Sequence, residues 1–360
     1  MSENISFKLH KFDITVKELD KHKSSGLDAS WLTLLFGGKD FNIKIANALR
    51  RVPCISLPSY AFPSELITID TNTAVAFNND YMRLRLSQLP VMGVDPDMYF
   101  LHEKYWSKVN YADTKREKHP DEMIVECYVN AHNNTPNLVP VTTNDAIVHI
   151  DGKQISPYDE KYPILLIKLR PNDRFKCHMK GALGVGDRNV IWGMARNSYY
   201  DELEDDKGKK TYEFTIEGNG QCDESEIMIR SCKYLIKKMT DLKKDLENKI
   251  STKQILPEKK IFFKLEKEDH TVGELLNYHF QDHTDIIASG LSKPDHLIKA
   301  VLIKVTASAN VSSPLEAMLE SIDTIINKFS HIGKLLSDMY DTEEKETKKI
   351  DKSKKSVKSK

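Results

Sequence analysis

Two stretches of the chain repeat an apolar residue at every third or fourth position. Met228, Cys232, Leu235, Met239, Leu242 and Leu246 form the first set, and Leu315, Met318, Ile322, Ile325, Phe329, Ile332 and Leu336 the second. This spacing lines one side of a helix with apolar side chains, so each stretch predicts a long helix whose seam needs a partner. Start signals precede both. Asp223 can cap the first helix, with Glu226 at the reciprocal position of a capping box, and Ser313-Pro314-Leu315-Glu316 supplies a cap, a proline at the first helical position and an acid.

The remaining pattern is mixed. Residues 5 to 20 alternate apolar and polar, with a phase slip between Leu9 and Phe12 that predicts a strand with a bulge. After the polar stretch 21–30, a helix is expected from Asp40 or Asn42, with Ile45, Leu49 and Val52 on one side and a stop at Pro53. Residues 64–77 read as a strand and 79–88 as a short helix. From 92 to 165 prolines and mixed aromatic and polar residues predict a loop-rich insertion, with strands at 122–131 and 145–150. Strand signals return at 164–169, 174–179 and 212–217, the last preceded by a charged loop at 201–210. Residues 251–260 are polar and read as a linker. Beyond it come a strand at 261–265, a helix starting at Thr271 with Glu274 closing a capping box, and a strand at 297–305. Lysines and acids dominate 341–360, which predicts a frayed helix end and a disordered tail. Each half therefore has a strand leading to a short amphipathic helix, and each ends in a long helix with one apolar seam.

Charge and chemistry narrow the function. Lysine plus arginine equals aspartate plus glutamate at 53 each, whereas a chain built mainly to hold nucleic acid is usually basic. The five cysteines form no C-x-x-C pair, which argues against a disulfide framework or a thiolate zinc site. No signal-peptide pattern or membrane-length apolar run occurs, so a soluble cytosolic protein is expected. Gly181, Gly184 and Gly186 stand in the wrong order for a nucleotide-binding loop and suit close backbone packing. His279 and His283 make only two metal ligands. Asp269 and His270 precede a helix, where they can satisfy its amides or grip a neighbouring segment. Arg50 and Arg51 suit contact with carboxylates of another chain, capping of a helix end, or a phosphate. Neither half carries a catalytic constellation, which points to an assembly scaffold.

At these residues a family resemblance becomes specific. Asn47, Leu49, Arg50, Arg51 and Val52 match the N-x-L-R-R-V core of the alpha-like subunits of DNA-directed RNA polymerase, eukaryotic subunit 3 and its relatives. Arg85, Leu86, Leu89 and Pro90 match R-L-x-x-I-P, while Lys180-Gly181 and Trp192-Gly193 fit the returning half of that domain. Glu268, Asp269, His270, Thr271, Val272 and Gly273 resemble the E-D-H-T-L/V-G motif of subunit 11, with Gly290, Pro294 and His296 matching part of a second motif. Fusion of the two resembles the arrangement in large cytoplasmic DNA viruses, most closely African swine fever virus. There are departures: Asn79-Asp80-Tyr81 replaces D-E-F, and the spacing of Pro294 and His296 differs. The insertion also lacks the cysteine cluster that binds zinc in many subunit 3 proteins.

The resemblance implies an α+β protein of two alpha-like dimerisation folds packed in cis. A subunit 3-like domain would span 1–91 plus 166–250, an insertion 92–165, a linker 251–260 and a subunit 11-like domain 261–340. It further implies a non-catalytic assembly platform without cofactor or metal. The expected partners are the second-largest polymerase subunit, a small subunit 10-like protein, a subunit 12-like element and the largest subunit, with no membrane and little or no direct nucleic-acid binding. Asn47, Arg50, Arg51 and Arg85 are expected at the subunit interface, and Asp269, His270, Thr271 and Glu274 at the helix start. The two apolar seams are expected to hold the halves together. The implied location is the host cytoplasm, with packaging in virions left open. The rival function is a nucleic-acid-binding transcription regulator with a polymerase-like fold.

Overall fold

The computed structural model describes residues 12–23, 29–74, 76–249, 259–295, 297–309 and 313–357. Ile5, Phe7 and Leu9 of the expected first strand, most of the expected linker, and His296 lie outside them. The first half begins with β1 (Thr15–His22), β2 (Trp31–Gly37) and α1 (Ile43–Ile55). There follow β3 (Pro58–Ala61), β4 (Ile67–Asn72), α2 (Asn79–Ser87), β5 (Val125–His132), β6 (Val139–Thr142), β7 (Ala146–Ile150), β8 (Lys153–Ile155), β9 (Leu165–Leu169), β10 (Arg174–Lys180) and β11 (Ala182–Val185). The half closes with β12 (Ala195–Glu204), β13 (Lys210–Gly218) and α3 (Glu224–Lys249). The second half is β14 (Lys260–Glu266), α4 (His270–Gln281), β15 (Ile286–Ser292), β16 (Ala300–Ala307) and α5 (Pro314–Val357).

One plan is used twice. The order β2-β13-β12 in the first antiparallel sheet matches β14-β16-β15 in the second, with β1 as an additional edge strand on the first. α1 corresponds to α4 and α3 to α5. The register slips at equivalent places, between Ala195 and Asn197 in β12 and between Ile286 and Ala288 in β15.

Both sheets and all four of these helices enclose a single apolar core. It joins Leu32, Leu34, Phe36, Leu49 and Phe214 of the first half to Leu276, Phe280, Val301 and Val305 of the second. Every seam residue lies in it or against it; Leu242 and Leu315 are partly buried and the other eleven are buried. α3 and α5 run antiparallel, since Cys232 faces Gly333 while Lys243 reaches Asp323 at 2.8 Å. A Cβ at Gly333 would stand 3.4 Å from that of Cys232, so a small residue sits where the helices approach. Each fully buried Leu, Ile or Phe contributes roughly 1.5–3 kcal/mol relative to exposure, before ordering costs.

A second core gathers residues on both sides of the expected insertion. Tyr60, Phe62 and Met82 precede it, Leu183 and Val185 follow it, and Val125, Cys127 and Val148 lie within it. β5, β7 and β8 extend one five-stranded sheet, ordered β4-β10-β5-β7-β8. The change of core thus falls near Leu57 and again between Val185 and Met194, whereas composition changes at 92. Composition registers loop content, while the pairing of β5 with β10 joins strands far apart in sequence.

Three local expectations are corrected. α1 continues through Pro53 to Ile55; the proline forfeits one bond, to the Leu49 carbonyl, and its fixed φ suits the helix. α4 starts at His270 with Asp269 as its N-cap, rather than at Thr271. α5 continues as backbone helix to Val357, through much of the segment expected to be disordered. Lysine and glutamate are good helix formers, and extending a helix is easier than nucleating one.

Candidate functional site

α1 and α4 lie against each other antiparallel, and this brings together the two motifs singled out in the sequence. Asn42 caps α1 by accepting from the Lys44 and Ile45 amides at 2.9 and 3.1 Å. Asp269 caps α4 in the same way, accepting from the Thr271 amide at 2.9 Å. Its other oxygen takes the Arg51 guanidinium at 2.6 Å. One turn along, Lys44 reaches Glu274 at 2.8 Å. Glu274 therefore bridges the halves instead of closing a capping box.

Three more ion pairs fasten the same turn. Lys238 of α3 holds Glu268 at 2.5 Å, Lys267 holds Glu103 at 2.6 Å, and Lys299 pairs with Asp187. These side chains rim a cleft of about 490 Å³ whose apolar wall includes Val52, Leu101, Trp106, Val185, Leu235 and Val272. The second half is thereby keyed to α1, to α3, to the stretch between α2 and β5 through Glu103, and to the turn after β11 through Asp187. Burial pushes the Asp269 carboxyl upward, but the Thr271 amide and Arg51 outweigh it and hold its pKa below the usual value. Burial dominates at the adjacent Glu268, whose pKa is raised.

The other expected interface residues divide. Arg50 donates to the Asn47 side-chain oxygen at 2.8 and 3.2 Å, and this pair stays partly exposed on α1 beside the exposed Ile43. Arg85 donates to the carbonyls of Leu166 and Leu165 at 2.8 and 2.9 Å, tying α2 to β9 within the chain. His270 is exposed on the first turn of α4, and Thr271 is half-buried in the cleft wall.

The glycine-rich loop packs backbone closely. A Cβ on Gly184 would come within 2.7 Å of the Trp192 ring, and one on Gly186 within 1.9 Å of the Cys54 carbonyl. His279 is buried, with Nδ1 2.8 Å from the Leu275 carbonyl, while His283 meets Glu320 at 3.2 Å. Among the described residues no group of His, Cys, Asp or Glu is placed to hold a metal ion, and no helix is long and apolar enough to cross a membrane.

The sequence pattern of the RNA polymerase Rpb3/Rpb11 dimerisation domain matches residues 36–239, and a second pattern of the same description matches 260–334. The chain belongs to the Rpb3/Rpb11 family. It carries two dimerisation domains in one polypeptide, with a β-rich region inserted before the second, and its family is non-catalytic. A protein named as a DNA directed RNA polymerase subunit, from Acanthamoeba polyphaga mimivirus, is 25% identical over 348 residues, covering 91% of this chain and 94% of that protein.

Within this Rpb3/Rpb11 frame, sequence reasoning singled out Arg51, Asp269 and Glu274 but not Lys44, Lys238, Lys267 or Lys299, nor Glu103 and Asp187. The one local signal was the charged run Glu266-Lys267-Glu268-Asp269 at a helix start. Its partners lie far away along the chain.

Proposed function

We propose that this chain is the assembly platform of a multisubunit DNA-directed RNA polymerase of a large cytoplasmic DNA virus, acting in the host cytoplasm. One polypeptide supplies the dimer that other polymerases build from two. The carrying observation is the single core shared by both halves, with the α3 and α5 seams turned onto each other. The fusion raises the effective concentration of the halves to roughly millimolar if the linker spans them. The finer likeness to African swine fever virus rests on the sequence motifs alone.

The platform binds the second-largest subunit through the partly exposed Asn47–Arg50 edge of α1, and further binds small subunits equivalent to 10 and 12 and the largest subunit. Arg51 serves the internal clasp. To test this, the tagged chain is isolated from its native expression setting and its co-purifying polypeptides are identified and counted. One copy with the two largest polymerase subunits, and no separate subunit 11-like chain, is expected. Recovery bound to nucleic acid without those subunits contradicts the reading. Arg50→Ala should lower recovery of the second-largest subunit about tenfold, a loss of about 1.4 kcal/mol, with little change in thermal midpoint. Arg51→Ala should do the reverse.

A further inference from the structure

Because the two sheets share one plan, each is a control for the other on the face turned away from the core. Across the first sheet the register places Lys17, Leu35, Glu213 and Asp201 in one row and Thr33, Thr215 and Tyr199 in the next. The Thr33 and Thr215 hydroxyls are 3.0 Å apart. The centre of that face is polar, with Glu213 beside Asp201, while Tyr199 and Leu203 are exposed on edge strand β12.

The second sheet differs. Phe262, Lys304 and Gly290 form one row, and Lys264, Leu302 and Ser292 the next. Phe262 is 60% exposed and its diagonal neighbour Leu302 is 40% exposed. Ile287, in the β15 bulge, is 70% exposed, and Ile298, ahead of β16, is 55% exposed. Edge strand β15 adds only Ala288, Gly290 and Ser292 to this face, so nothing rises above the apolar residues there. Single exposed apolar side chains are ordinary. On the twin sheet the exposed Leu19, Tyr199 and Leu203 all lie on edge strands, so an apolar pair that reaches the central strand β16 marks an interaction surface.

Charge selects the occupant. These two rows carry no acid: Lys304 lies 5.0 Å over the Phe262 ring, and Lys264 is 3.2 Å from Glu266 of the following row. A second copy docking through the same face would oppose lysine to lysine. The lysine-rich end of this chain is repelled likewise. Single-stranded nucleic acid calls for several stacking rings along a basic groove, and this face has one ring. We propose that the outer face of β14-β16-β15 docks a protein segment with apolar anchors flanked by carboxylates, contributed by another polymerase subunit; this rests on the assembly-platform reading.

The test uses the full chain in its isolated complex. Phe262→p-benzoylphenylalanine is irradiated and the crosslinked peptide identified by mass spectrometry, with Tyr199→p-benzoylphenylalanine on the twin sheet as control. A crosslink to one acid-bearing peptide of another polymerase subunit, with none from position 199, is expected. A crosslink to nucleic acid, to a second copy or to a peptide without acids overturns the proposal, as does no crosslink within an assembled complex. If no polymerase complex is recovered, the platform reading fails first and this inference with it. Phe262→Glu combined with Leu302→Glu should lower recovery of the crosslinked subunit at least about tenfold, with the thermal midpoint of the free chain unchanged.

Discussion

α1 and α4 occupy equivalent places in the two halves, but the charges they carry are not equivalent. Aligned on their N-caps Asn42 and Asp269, Leu49 falls on Leu276, and both are fully buried. Lys44 falls on Thr271, Asn47 on Glu274, and Arg51 on Tyr278. The cations of the clasp therefore sit on α1 and the anions on α4. Two first halves paired in the same way would bring Arg51 to Asn42 and Lys44 to Asn47; two second halves would bring Tyr278 to Asp269 and Thr271 to Glu274. Neither makes an ion pair. The apolar seams supply most of the attraction, and the clasp makes unlike halves the preferred combination.

The comparison breaks most readily at the shared core. Phe329→Ala in α5 should cost about 3–5 kcal/mol. Hydrogen exchange should then show β2 amides of the first half loosening together with β16 amides of the second. Loosening confined to the second half would mean two separable cores.

Acid should separate the halves next. His279 of α4 falls where α1 has Val52. Burial lowers the His279 pKa to about 4, with the Leu275 carbonyl and Asp282 opposing and Lys328 assisting. The folded state thus favours the neutral ring. The associated stability is full above the unfolded value of about 6.5 and is lost as pH falls toward 4, by roughly 3 kcal/mol at most. His279→Val, which copies the first half, should flatten that part of the stability profile in urea titrations. An unchanged slope would assign the acid sensitivity to other groups.

The caps come third. Asn42→Ala should cost about 1 kcal/mol, and Asp269→Ala about 2 kcal/mol because it also strands Arg51. Asp269→Asn keeps the cap and loses the ion pair, so equal effects of the Ala and Asn substitutions would place the whole cost in the clasp. Since the Asp269 pKa is lowered on folding, its contribution is present above about pH 4 and disappears as pH falls further. The smallest effect is the Lys44–Glu274 coupling, about 0.2–1 kcal/mol in a double-mutant cycle and weaker at high salt.

What the sequence made legible follows the same division. The two seams were readable because a period between three and four survives in a half-buried helix, and residue type narrowed the start of α1 to Asp40 or Asn42. β2 was not, since Leu32, Leu34 and Phe36 alternate with the buried Thr33 and the half-buried Leu35, which blurs the contrast between the two faces. β12 was taken partly for loop because its charged residues suit an exposed edge strand. At the candidate site, Arg51 and Asp269 each stood out locally, but which distant charge each meets is set by packing of the core.

The most direct test is native mass spectrometry before and after cleavage at a protease site engineered into residues 251–258. The account predicts a monomer before cleavage and a one-to-one complex of the two fragments afterwards, intact at micromolar concentration. A dimer before cleavage, or fragments that separate, would contradict a single core shared within one chain.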